Sequence, residues 1–292
     1  MSMLVTNCPT CGRALEPVPG AACPACIQEQ PALWSPSTAV LVWVASVGFL
    51  FLFQGFALII YIAGKFASTG QLPGKALTPA IALISLAATF LAHLATLALC
   101  WRVVTNNGQR PFFGSLGWRW HTQFKAIHAV ALAALMLLVT VLLDRFLPRG
   151  ETDFEKMLQL GTAVRVSVAL LAVFTAPLVE EIVYRGVIYS AIEWWRGSFA
   201  AVVVVSLLFG AVHVPQYLGS VSAIAAILAL SIVLTLLRAL TRQLLPCVAT
   251  HLTFNLIQAV LLLANQGNVP RGTAPRTAAS ALCHWIFSGN RF

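Results

Sequence analysis

Of the nine acidic residues in this chain, Glu180 and Glu181 alone lie deep in an apolar run, Val168 to Ile192. A charge at bilayer depth costs roughly 2.5–3.5 kcal/mol even on the lenient insertion scales. Two adjacent carboxylates there need a reason. Helix geometry separates them. Glu181 and Arg185 are four residues apart, with the glutamate first, so they share a face and read as an ion pair that lets the helix carry charge in lipid. Glu180 points about 100° away, and Tyr184 rather than a cation lies one turn on from it. Glu180 is therefore the carboxylate free for general-base chemistry. The plainer alternative is that both glutamates only fasten this helix to a neighbour.

Other polar groups bear on that choice. His213 ends an apolar run, with Phe209 one turn earlier on the same face, and His251 and Asn255 share a face on the last run. A lone intramembrane histidine is usually a satisfied core residue. Two histidines, an asparagine and a glutamate on three runs point instead to a common wet interior. Depth supports part of this. A turn falls at Arg196–Ser198, and Glu180 and His213 lie nearly equal distances before and after it. Antiparallel helices would bring them level. His251 follows the Arg238–Arg242 loop by only nine residues. A helical reading leaves it too near the membrane edge, so residues 242–247, which include Pro246, are predicted to run extended inside the bundle, where protein surrounds the backbone.

The elements that must position these residues are membrane spans. The 292 residues are 59% hydrophobic and 9% charged, against about 25% charged in soluble domains. Several apolar runs reach the roughly 20 residues needed to cross a bilayer. The fold class expected is an all-α polytopic membrane protein with about seven transmembrane helices, at roughly 38–63, 79–104, 124–147, 165–194, 199–218, 221–241 and 246–265. Residues 150–161 fit a short surface helix. The net charge of +9 sits mostly in short loops, where basic residues hold topology and meet lipid headgroups, and it does not indicate a nucleic-acid partner. Met1 to Thr10 lack the basic start and apolar core of a cleavable leader, so the run from near Thr38 is expected to insert and anchor the chain.

Ahead of the spans, residues 1–30 carry two C-x-x-C pairs, Cys8 with Cys11 and Cys23 with Cys26. Two such turns facing each other close a tetrahedral Cys₄ site. Some thirty residues have no core of their own, so bound metal would supply the folding energy. A small zinc-ribbon-like head holding a structural zinc is the expectation, with two disulfides or a redox motif as the alternatives. Four thiolates leave no open position for catalysis, so the head would be structural or would bind a protein partner. Residues 31–37 read as a linker, with Trp34 suited to the membrane interface, residues 38–265 as the transmembrane domain, and residues 266–292 as an irregular tail. The positive-inside count is nearly balanced. A zinc head in a reducing compartment places the N-terminus in the cytoplasm, with the chain in a cell membrane, the prokaryotic inner membrane being the expected one.

The sequence Glu180-Glu181-Ile-Val-Tyr-Arg185, then Phe209 to His213, then His251 to Asn255, resembles in order the EExxxR, FxxxH and HxxxN motifs of the CPBP family (also called Abi). These are the CAAX-protease and bacteriocin-processing membrane proteases that include the type II CAAX prenyl endopeptidases. The resemblance covers roughly residues 110–265, and the Gly114–Trp118 stretch is similar to the segment leading into the family's core. It implies a glutamic-type intramembrane endopeptidase acting on membrane-embedded or membrane-tethered peptides or proteins. Glu180 would activate water, His213 would position that water or share its proton, and His251 and Asn255 would stabilise the oxyanion. Glu181, Arg185 and Phe209 would support them, with no organic cofactor and no catalytic metal. Two rivals stand beside it. One is a zinc metalloprotease using Glu180, His213 and His251 as ligands. The other is a non-proteolytic protein, either a proton-coupled transporter or a scaffold or immunity protein.

Overall fold

The computed structural model describes residues 6–7, 14–15, 34–74 and 76–264. The chain divides into two compact units, Met1–Leu33 and Trp34–Phe292. In the first, β1 (Thr6–Asn7) pairs antiparallel with β2 (Ala14–Leu15), Thr6 opposite Leu15. Cys8, Cys11, Cys23 and Cys26, and with them the expected zinc-ribbon-like head, lie outside the described residues, as does the tail from residue 265.

The second unit is all-helical and polytopic. Its long elements are α1 (Pro36–Thr69), α2 (Pro79–Val104), α4 (Ala126–Phe146), α9 (Val221–Thr241), α10 (Leu245–Ala264) and a composite helix from Thr162 to Tyr217. Short α3 (Phe112–Leu116) and α5 (Asp153–Leu158) lie in the connections. Start signals are local. Ser35 and Thr78 accept from backbone N–H groups three residues on, and a proline follows each at the first helical position, where its missing N–H costs nothing. α1 packs chiefly on α2, residues 189–213 of the composite helix on α9, and α10 on α4.

Among the described residues, six helices are long and apolar enough to cross a membrane, where about seven runs were expected. The difference lies in the 56-residue composite helix, which contains two of the expected runs. These runs meet at Gly197, where φ is 84° and ψ is 168°. That conformation is essentially confined to glycine, and it breaks the helix between its two apolar halves.

The composite helix is irregular within its first half. It comprises α6 (Thr162–Leu170), a first π segment (Leu171–Thr175), α7 (Ala176–Glu180), a second π segment (Glu181–Ile188), α8 (Tyr189–His213) and a 3₁₀ turn (Val214–Tyr217). Pro177 accounts for the first π segment. It has no N–H for the carbonyl four residues back, and its ring crowds that turn. Carbonyl oxygens of the π segments accept instead from side chains elsewhere: Ala172 from Asn255 (2.7 Å), Arg185 from Arg238 (3.0 Å) and Val187 from the Trp34 indole (2.8 Å). Trp34, expected at a lipid interface, is thus buried.

The main core gathers Val179, Ile182, Tyr184, Val187 and Tyr189 of the composite helix with Phe209, Leu116 and Leu244. Leu116 enters this core because Gly186 gives it room. A Cβ on Gly186 would stand 2.8 Å from Leu116 Cδ2. Beyond α4, Arg149 bonds Asp144 at 3.4 Å and Glu155 at 2.6 Å. Glu155 also closes a capping box with Thr152 at the start of α5 and is buried, so the expected short helix is present but turns one acidic side chain inward.

Candidate active site

The carboxylates part company as their spacing predicts. Glu181 has no solvent exposure, and its Oε1 accepts from Arg185 Nη1 at 3.0 Å. Arg185, equally buried, also donates to Ser231 O and Oγ and to Thr235 Oγ1 on α9. Its guanidinium lies 4.6 Å from the centre of the Phe209 ring. The charge therefore sits in a closed polar and aromatic cage.

Glu181 has a second task that its sequence spacing did not reveal. His251 Nδ1 lies 2.8 Å from Glu181 Oε1. A carboxylate can only accept, so Nδ1 donates to it, and the other ring nitrogen, Nε2, is left to face the site. That Nε2 faces Glu180 Oε2 at 3.8 Å. On the other side, His213 Nδ1 lies 2.8 Å from the Phe209 carbonyl, which also only accepts. Its Nε2 in turn faces Glu180 Oε1 at 3.9 Å. Glu180 is 20% exposed and His213 21%. Each oxygen of Glu180 thus has one imidazole nitrogen beyond direct hydrogen-bond range and close enough for one water to reach both.

Phe209 is the packing centre of this arrangement. Its ring stacks on His213 (4.6 Å, 28°) and meets Tyr184 (5.1 Å, 74°) and His251 (6.2 Å, 66°) near edge-on. The Tyr184 hydroxyl accepts from the Trp43 indole of α1 at 3.2 Å. Asn255 sits one turn beyond His251, where its Nδ2 donates to Ala172 O in the first π segment. The structure brings Glu180, His213 and His251 together, and it turns Asn255 toward the π segment.

The route to this geometry differs from the sequence expectation. Only residues 242–244 break the helix between α9 and α10; Arg242 is left-handed (φ 54°) and Leu245–Cys247 are already helical. The expected extended run of 242–247 is therefore not formed. His251 reaches depth because the α9–α10 turn lies level with the middle of the composite helix, with Leu244 buried and Arg242 exposed. Arg238 donates to Arg185 O and reaches Ser190 Oγ, so the end of α9 is level with residues 185–190, well short of Gly197. The turn is held there by Leu244 N–H donating to Gly117 O at 2.8 Å, and Leu244 is fully buried.

Sequence reading passed over one histidine. His93 of α2 places Nδ1 2.9 Å from Thr175 Oγ1 in the first π segment. It is the one histidine in its apolar run, a signal that intramembrane ionisable residues carry by default. Among the described residues, no group of three or more His, Cys, Asp or Glu side chains is arranged to hold a metal ion.

Three motifs now meet in space around one carboxylate, and their stretch of chain has a known counterpart. Residues 162–257 match the Rce1-like family model, type II CAAX prenyl endopeptidase Rce1-like. The Rce1-like segment covers about a third of the chain. It holds Glu180, Glu181, Arg185, Phe209, His213, His251 and Asn255, while α1 and α2, which bring Trp43 and His93 to the same region, lie outside it. No curated protein and no solved structure matches the chain.

Proposed function

We propose that this integral membrane protein is an intramembrane endopeptidase that hydrolyses peptide bonds of membrane-embedded or membrane-tethered proteins. The observation that carries the reading is the placement of Glu180. Its two oxygens each face an imidazole Nε2, at 3.8 and 3.9 Å, and both imidazoles are fixed from behind by Nδ1–H bonds. The resemblance of residues 162–257 to the type II CAAX prenyl endopeptidase family supports the reaction class.

In this mechanism a water held between Glu180 and His213 attacks the substrate carbonyl as Glu180 takes its proton. His213 shares that proton and returns it to the leaving amine, so Glu180 is regenerated as the carboxylate. His251, its ring set by Glu181 through Nδ1 and with an Nε2–H to donate, and Asn255 stabilise the oxyanion. Asn255 has two amide N–H groups, and one is engaged by Ala172 O, which leaves the second for the oxyanion. Arg185 holds the Glu181 carboxylate in place, and Phe209 fixes the angle between the two imidazoles. The full-length protein in lipid vesicles is expected to cleave a membrane-tethered reporter peptide, and Glu180→Gln is expected not to. Equal processing by the two would reject a catalytic Glu180.

We further infer that Cys8, Cys11, Cys23 and Cys26 hold a structural zinc, and that the head lies in the cytoplasm, where it receives a protein partner. The paired spacing supports this, as does the antiparallel pairing of β1 with β2 on either side of the first pair. One zinc per chain in wild type, lost in Cys8→Ser with Cys23→Ser, is the expected metal content. An unchanged content in that double variant would contradict it.

A further inference from the structure

We infer that the tip of the broken composite helix, residues 194–199, is a lipid-binding element that seats in the headgroup layer of a leaflet carrying anionic phospholipid. This role is independent of the reaction at Glu180.

The tip is built around Gly197, whose φ of 84° ends one helical half and starts the other. Trp194 is 52% exposed, Trp195 56% and Phe199 83%. Arg196 is exposed as well, with its guanidinium 4.2 Å from the centre of the Trp195 ring. Glu193 Oε1 accepts from the Tyr189 hydroxyl at 3.0 Å and from Ser198 Oγ at 2.7 Å. The second of these bonds ties the two halves together across the break. Three large apolar rings and one cation are thus presented together on a stapled turn.

The height of the tip matches a headgroup layer. α9 has 21 residues, about 31 Å of helix, which suits a hydrocarbon core of about 30 Å. Arg238, in the last turn of α9, reaches Arg185 O and Ser190 Oγ, so α9 ends near the level of residues 190–193. Gly197 stands about 6–10 Å further along its own helix. The polar layer outside the hydrocarbon core is about 5–8 Å deep on each side. Tryptophan concentrates in that layer because its ring is apolar and its N–H is polar.

Charge selects the kind of lipid. The connection between α2 and α4, residues 105–125, comes to this end of the bundle, where Gly117 O accepts from Leu244 N–H. Arg102, Arg119 and Lys125 are exposed along it, and Arg242 is exposed at the α9–α10 turn. Among the described residues, Glu193 is the one acidic side chain at this end, and Tyr189 and Ser198 take it up. Asp144, Asp153 and Glu155 lie at the other end, paired there with Arg149 and Lys156. A cationic rim beside exposed aromatic rings suits phosphate headgroups, and each basic residue near an anionic membrane surface strengthens attraction about fivefold. Glu180 and His213 sit on the two halves that meet at this tip, so its seat sets the depth of both.

The full-length protein is reconstituted in phosphatidylcholine vesicles, and the tip is read as the tryptophan emission that Trp194→Phe with Trp195→Phe removes. Part of the lipid is then replaced by phosphatidylglycerol or, in parallel, by phosphatidylcholine, each brominated near the headgroup end of its acyl chains so that it quenches neighbouring indoles. Both lipids are expected to quench the tip emission, with phosphatidylglycerol favoured by a factor of about five or more. Arg196→Gln is expected to lower that factor about fivefold at an unchanged melting temperature. Equal quenching by the two lipids in wild type would overturn the inference, as would an Arg196→Gln protein with the full wild-type preference. Tip emission that neither lipid quenches would place the tip in water or against a protein surface and would overturn it outright.

Discussion

Glu181 Oε1 carries the Arg185 guanidinium and the His251 imidazole at once, with both partners of the ion pair at zero exposure. Breaking a buried pair from one side leaves an uncompensated charge and typically costs about 3–5 kcal/mol. Arg185→Leu is therefore expected to destabilise the protein by about 3–5 kcal/mol, read by thermal unfolding in detergent. A loss under 1 kcal/mol would show that the pair is not the anchor of this site. Glu181→Gln is the milder change, since an amide oxygen still accepts from both partners. It is expected to fold and to lose activity through a poorly held His251. The Glu181–Arg185 pair was legible from four-residue spacing alone, and so was the separate direction of Glu180. The bond from Glu181 to His251 was not, because it joins residues 70 apart and depends on where a turn sits in the bundle. His93 escaped notice for a different reason: a single histidine in an apolar run has no partner in sequence to give it meaning.

At the scale of elements, two devices set the site. One is the irregular composite helix. Pro177 and the π segments expose carbonyl oxygens that Asn255, Arg238 and Trp34 take up, so helix irregularity becomes the means by which α9, α10 and the start of α1 are registered against the glutamates. The other is the insertion of the α9–α10 turn under Gly117, with Leu116 against Gly186. Level matching across Gly197 was readable because a glycine there ends one apolar run and starts the next. The same arithmetic failed for His251 because it assumed that every turn lies at the level of Gly197, and the α9–α10 turn lies level with residues 185–190. Gly186→Val is expected to push α3 out of the core and cost about 1–3 kcal/mol, the usual range for overpacking. It should also lower activity, since the α9–α10 turn that sets the depth of His251 packs on the same residues. A Gly186→Val protein with wild-type melting temperature and activity would contradict this account of α3.

At the scale of the molecule, the described residues form six helices long and apolar enough to cross a membrane, and they enclose the Glu180 cluster, with Glu180 about as many residues from Gly197 as His213 is. α1, at 34 residues, is about 51 Å long against a hydrocarbon core of about 30 Å. It therefore tilts or extends past the bilayer. The all-helical membrane class was legible from composition and run length, while the joining of two runs into one helix broken at Gly197 was not, because length alone does not show it. The N-terminus is proposed to face the cytoplasm, which puts Gln71 outside and Gln109 inside; both are exposed. Cysteines introduced at these two positions are expected to react with a membrane-impermeant reagent from opposite sides, and labelling from the same side would contradict the spanning of α2. The substrate is unidentified, so the most direct test of a catalytic Glu180 reads new chain ends rather than a chosen peptide. Protein termini are mapped in membrane fractions from cells bearing wild type and from cells bearing Glu180→Gln at equal expression. The account predicts a set of membrane-protein termini present with wild type and missing with Glu180→Gln, and identical termini in the two would contradict it.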